Sequence, residues 1–132
     1  MAGGETRETV PAVLGAVAHD EAVDCVVVLG AGIQSNQARM EREGPFHPDH
    51  GLERIVAFHE RQDGRYAAEA ASLSDATGKP MVLATELAVA DPDNAAVRAV
   101  VTSGRYCYPS GERAVRALDA AWQRRRWLDR ER

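Results

Sequence analysis

The sequence predicts an α/β fold with a small, mainly parallel sheet, on three observations. The first is V-D-C-V-V-V-L, Val23 to Leu29, a β-branched apolar run ended by the glycines of G-A-G-I-Q-S-N. It is too short to span a membrane and reads as a buried strand suited to the middle of a parallel sheet. The second is another apolar run, Met81-Val82-Leu83-Ala84-Thr85, entered from Gly78 and Pro80. The third is the helical spacing of the stretches around and between these runs. Strands alternating with helices mean βαβ units, right-handed crossovers and parallel pairing.

Taken in order, Met1 to Glu8 is short, polar and glycine-containing, and is expected to fray. Pro11 suits the first position of a helix with Val13, Leu14 and Val17 on its apolar side, ending at His19-Asp20-Glu21. The first strand and its glycine loop follow. Gln37 to Pro48 is charged without a clean apolar period and is punctuated by Gly44, Pro45 and Pro48, which predicts a short helical turn and then a loop. Asp49 suits the cap of the next helix, with Leu52, Ile55, Val56 and His59 on its apolar face. The pattern lapses at Gln62-Asp63-Gly64 and resumes at Tyr66, Ala67, Ala70, Ala71 and Leu73, so either one long helix bends at Gly64 or two helices meet there. Gly78 caps its end and Pro80 prevents continuation.

After the second strand, Asp91-Pro92-Asp93 reads as a helix start: a capping acid, a proline and a second acid at the positive end of the dipole. That helix carries Ala96, Val97, Val100 and Val101 and stops at Ser103-Gly104. Arg105 to Tyr108 is a short third strand, with Tyr106, Cys107 and Tyr108 alternating across it. A fourth strand lies near Leu87 to Ala90, or a partner completes the sheet. Pro109-Ser110 opens the last helix, with Ala114, Val115, Leu118, Ala121 and Trp122 on one face, running to about Leu128.

The 132 residues suffice for one domain with a real core. Only seven are aromatic (two Phe, two Trp and three Tyr), so Ala, Val and Leu make most of that core. A net charge of −4 argues against a general nucleic-acid binder. The five arginines between Arg124 and Arg132 suit a solvated helix end, a docking surface or a linker. No signal peptide or membrane-spanning run is evident, which makes the cytoplasm the expected location. Two cysteines are too few for a disulfide scaffold, and Cys25, within the first apolar run, is expected to be an inert buried thiol.

Function is sought first at Gly30 to Asn36, because ligands of open α/β sheets bind beyond the carboxyl ends of the strands. Backbone N–H groups at a helix N-terminus favour anions. Gly30 and Gly32 let the chain approach a ligand, Gln34, Ser35 and Asn36 offer hydrogen bonds, and Arg39 adds charge one turn on. The loop misses G-x-G-x-x-G, because Ser35 stands at the third glycine position, and the same residues suit a plain tight turn. Glu86, just past the second strand, lies at the same sheet edge, either as a ligand-orienting group or as a solvated acid. His47, Asp49 and His50 are the one metal-like cluster, without a third or fourth ligand at a recognisable spacing, so no metal site is assigned and Asp49 is read as a cap. No nucleophile–base pair can be assigned from spacing.

Three segments carry a family resemblance: V-D-C-V-V-V-L-G (Val23 to Gly30), T-G-K-P-M-V-L-A-T-E (Thr77 to Glu86) and S-G-R-Y-C-Y-P-S-G-E-R-A-V-R-A-L-D-A-A-W-Q-R-R-R-W-L (Ser103 to Leu128). Together they resemble a flavodoxin-like subdomain of the NDP-forming acyl-CoA synthetases, acid–thiol ligases related to succinyl-CoA synthetase. In that family a "GKPV" segment leads into one strand and the next ends in "YPSPERAVRALAAL" or a close variant. The resemblance runs from about Pro11 to Leu128. It implies a flavodoxin-like (Rossmann-like) three-layer domain over residues 1–132, a fragment or subunit of a larger cytoplasmic ligase.

By the same resemblance, Gly30 to Asn36 faces phosphate or phosphohistidine. The companions are a CoA-binding domain, a phosphohistidine domain and an ATP-grasp unit, and self-association into a homo-oligomer is compatible with it. No cofactor is intrinsic to this chain; CoA, nucleotide and Mg²⁺ belong to the assembled enzyme. The sequence departs from the full enzyme in lacking a glycine-flanked phosphorylatable histidine, a CoA fingerprint and an ATP-grasp region. It is therefore not a complete ligase, and a non-catalytic binding or scaffold module is the alternative. A flavodoxin-type flavin carrier fits poorly, since no hydroxyl-rich phosphate loop follows Leu29.

Overall fold

Val26–Leu29 forms β1 and Met81–Ala84 forms β2, paired in parallel with Val26 opposite Met81 and Leu29 opposite Ala84. The computed structural model describes residues 8–131; the expected fraying of Met1 to Glu8 falls, apart from Glu8, outside the described residues, as does Arg132. Six helices accompany the strands there: α1 (Thr9–His19), α2 (Ile33–Arg42), α3 (Leu52–Thr77), α4 (Leu87–Ala90), α5 (Ala95–Thr102) and α6 (Gly111–Arg130). The chain is thus mostly helical around a two-stranded parallel sheet.

One sheet face is closed by small residues. Met81 and Leu83 of β2 pack with Leu14 and Ala18 of α1, Ala67 and Ala70 of α3, and Val97 and Val100 of α5. Alanines at i and i+3 let the α3 backbone come close to the strands, while the larger Met and Val side chains fill the space between. Residues of a strand alternate faces. Val26 and Val28 therefore join this core, whereas Leu29 points the other way and meets Gly111 at the start of α6.

Several expected elements take a different form. The predicted third strand, Arg105 to Tyr108, is a single parallel bridge of Tyr108 to Ala84, in which the Tyr108 N–H donates to Leu83 O at 2.9 Å and the Thr85 N–H to Tyr108 O at 2.8 Å. The ladder reaches no further because Arg105 turns to α3, donating to Ala71 O at 3.2 Å and to Asp75 Oδ1 at 2.6 Å. The predicted side-chain alternation holds: Cys107 is buried, while Tyr106 and Tyr108 meet edge-on with centroids 4.9 Å apart. Leu87–Ala90 is the short helix α4 and not a fourth strand.

Residues 33–42 form a full helix, longer than the turn predicted from Gln37, because the small side chains of Ser35 and Ala38 let α2 lie against α3. Helix α3 is continuous over 26 residues, with Gly64 inside it. It starts after Gly51 at φ 79°, so Asp49 supplies a backbone carbonyl, which accepts from the Leu52 N–H at 3.0 Å, and not a side-chain cap. The α5 cap is Asn94 and not Asp91. Cys25 is exposed because β1 begins only at the next residue. The Gly78 stop at φ 71° and the Ser110 cap, which accepts from the Arg113 N–H at 3.3 Å, form where the sequence predicts. No described helix is long and apolar enough to cross a membrane.

Candidate functional site

The glycine loop leaves β1 at the carboxyl ends of both strands. Gly30 and Gly32 both take positive φ, 72° and 90°, a conformation that L side chains resist. At Gly32 the restriction is doubled, since an added Cβ would collide with the Asn94 side-chain amide. Asn94 is the pin of this loop. It is buried, its Nδ2 donates to Gly32 O at 3.0 Å, and its Oδ1 accepts from the Ala96 N–H at 3.0 Å. One side chain thereby caps α5 and fixes the entry to α2. The sequence signal was present, because Asn ranks with Asp as a cap and stands directly before the apolar run of α5.

The N-terminus of α2 carries an anion from within the chain. Asp63, on α3, accepts from the Ser35 backbone N–H at 2.6 Å and is 5% exposed. Burial pushes its carboxyl above the ordinary value, against the opposing pull of the Ser35 and Gly32 N–H groups and of the His59 charge. Desolvation prevails because the buried carboxylate loses more hydration than the hydrogen bonds from Ser35 and Gly32 and the nearby His59 return. One turn earlier on α3, His59 Nδ1 lies 3.7 Å from Glu41 Oε2 of α2. Both atoms are buried, and neither has a hydrogen-bond partner among the described residues. Arg42 and Glu60 close the same seam at 2.6 Å. The lapse at Gln62-Asp63-Gly64 was thus a buried polar station between two helices.

Beside this seam opens a cleft of about 660 Å³. Val10, Leu29, Ile33 and Phe58 are among its apolar walls, and Gly30, Gln34, Gln37, His59, Asp63 and Tyr66 add backbone and polar groups. Among the described residues no lysine or arginine lines it.

Of the residues singled out from sequence, Gly30 and Gln34 line this cleft, Gly32 is locked on Asn94, and Ser35 is buried against Asp63. Asn36 and Arg39 come together, with Arg39 Nη2 donating to Asn36 Oδ1 at 3.3 Å. Arg39 also pairs with Glu43 at 3.1 Å and Asp91 at 3.8 Å, so its charge is shared with two carboxylates. Glu86 is exposed past β2, where its backbone carbonyl starts α4 by accepting from the Val89 and Ala90 N–H groups, each at 3.1 Å. Among the described residues no group of three His, Cys, Asp or Glu side chains is placed to hold a metal ion. His50 instead meets the Phe46 ring edge, centroids 6.0 Å apart.

The opposite sheet face is sparsely covered. Ala114 is the one buried residue of α6. Val115, Trp122, Trp127 and Leu128 of that helix are exposed, and so are Leu29 and Tyr106 beside it. Arg124 lies 4.4 Å from the Trp127 ring centroid and Arg126 5.7 Å from that of Trp122, cation–π contacts at the helix surface. No protein-family model, curated protein or solved structure matches this chain.

Proposed function

We propose that this chain is a flavodoxin-like, three-layer domain of an NDP-forming acyl-CoA synthetase, working only when docked to CoA-binding, phosphohistidine and ATP-grasp companions. The observation that carries the reading is the uncovered sheet face. Leu29 and Tyr106 beside α6, and Val115, Trp122 and Leu128 along it, are left in water. Apolar patches of this kind mark interaction surfaces. The longest of the segments that resemble the family, Ser103 to Leu128, falls on this side: it contains the Tyr108 bridge and nearly all of α6.

In this reading the chain contributes an assembly surface and the Gly30–Asn36 turn, while CoA, nucleotide and Mg²⁺ are held by the companions. Nothing among the described residues lining the cleft beside Gly30 matches a phosphate, since none of them is Lys or Arg. The turn would therefore face a phosphohistidine from its solvent side. A non-catalytic scaffold is the second reading, and Asp63 favours it: the helix N-terminus an anion would use already carries a carboxylate.

The test is reconstitution. Companion domains encoded in the same or a neighbouring gene are mixed with this chain, acetate, CoA and Mg-ATP, and loss of free thiol is followed. The ligase reading expects thioester formation that requires this chain and is abolished by Gly32→Val. A stable complex without thioester would leave the scaffold, and turnover that is indifferent to this chain would remove both.

A further inference from the structure

The cleft between the glycine turn, α1 and α3 is unlike a phosphate site. Among the described residues its lining carries one carboxylate and no lysine or arginine. That carboxylate, Asp63, is fixed by the Ser35 N–H at 2.6 Å and is almost wholly shielded from water. The other titratable groups of the lining, His59 and Tyr66, share its helix; α1, β1, α2 and β2 contribute only apolar residues, glycine and two glutamines. Behind His59 stands a second acid, Glu41, at 3.7 Å. The walls are apolar, with Ile33 and Phe58 exposed at the rim and Val10, Val28 and Leu83 within. At about 660 Å³ the space suits a molecule of one ring and a short chain.

From this juxtaposition we propose that the cleft binds a small organic cation, a primary amine or amidine on an apolar or aromatic body. The body lies against Ile33 and Phe58 and the cationic head donates to Asp63. A buried carboxylate with His59 near it but no lysine or arginine among the described lining residues is held at a cost that an incoming ammonium reduces, whereas an incoming anion would add to it. Phe58 offers the ring face that an amine-bearing aromatic packs on. The inference is independent of the ligase reading and stands if that reading fails.

The test is a titration of the full chain with 2-phenylethylamine, followed by amide chemical shifts. 2-Phenylethanol serves as the neutral isostere, and phenylacetate and inorganic phosphate as the anions. The expected result is saturable shifts at Gly32, Ser35 and His59 with the amine, at least about tenfold weaker binding of the alcohol, and none of the anions. Asp63→Asn, which keeps an acceptor for the Ser35 N–H, should weaken the amine by about tenfold or more. Phe58→Ala, at a partly exposed position, should weaken it severalfold with the fold intact, and keeps the test informative if the Asp63 variant fails to fold. Equal binding of amine and alcohol, preference for phenylacetate or phosphate, or no saturable shift with any probe would overturn the proposal.

Discussion

The two faces of the sheet are built by opposite means. On the side of α1, α3 and α5, alanines and valines bring helices close and the side chains that fill the gap are shut off from water. On the side of α6, one helix touches the strands through its first turn, and leucine, tyrosine and tryptophan side chains remain in solvent. Stability therefore resides in the first face. The second face adds little to the isolated chain and leaves much of its apolar area in solvent. The glycine turn sits where the two meet, pinned by Asn94 from the closed side and touching Gly111 through Leu29 on the open one.

The largest way to sharpen this contrast is Met81→Ala. Met81 is 2% exposed at the centre of the closed face, and removing its side chain is expected to cost about 2–5 kcal/mol of unfolding free energy, read from urea titration. Next is Asn94→Ala, which removes the cap of α5 and leaves Gly32 O with only the Asn36 N–H. A loss of about 2 kcal/mol is expected, together with shifted amide resonances in both the 30–36 and 94–97 segments. A loss confined to α5 would mean that the two loops are not coupled.

A smaller effect separates by pH. The Asp63 carboxyl is held above its ordinary value in the folded chain, so the folded state binds this proton more tightly than the unfolded one. Its contribution is fully present below the unfolded value of 3.8 and is lost as pH rises through the raised folded value. The stability of Asp63→Asn relative to the native chain should accordingly rise as the pH is raised from 3.8 through the raised folded value. A relative stability that falls over that interval would give Asp63 the opposite sign. The smallest effect belongs to the open face: Trp122→Ala should change the stability of the isolated chain by no more than about 0.5 kcal/mol.

What the sequence made legible was local. The Gly78 stop, the Ser110 cap and the second strand depend on neighbours a few residues away and formed close to where they were read. The first strand, read as buried in mid-sheet from Val23, forms only over Val26–Leu29 and stays half-buried because the sheet has just two strands among the described residues. What it hid was long-range. Asp63 finds Ser35 across 28 positions and Asn94 finds Gly32 across 62, and no periodicity encodes either meeting. Helix α2 has no apolar period because its contact with α3 runs through small and polar side chains, Ser35, Ala38, Glu41 and Arg42. The third strand failed for a similar reason: Arg105 has a β-compatible sequence context but an ion pair with Asp75 that takes it out of the ladder. Gly30 to Asn36 was found by the position of glycines after a strand, whereas the carboxylate that occupies the turn from the far side was not.

The α6 face is exposed in the isolated chain, and under the proposed function it closes on a companion. Trp122 and Trp127, the two tryptophans of the sequence, both lie on α6. The direct measurement is fluorine NMR of the 5-fluorotryptophan-labelled chain, alone and with the companion domains. The account predicts two solvent-exposed resonances for the chain alone, with at least the Trp122 signal moving to a shielded position when companions are added. A Trp122 signal that is already shielded in a monomer, or one that stays exposed in an active assembly, would contradict it.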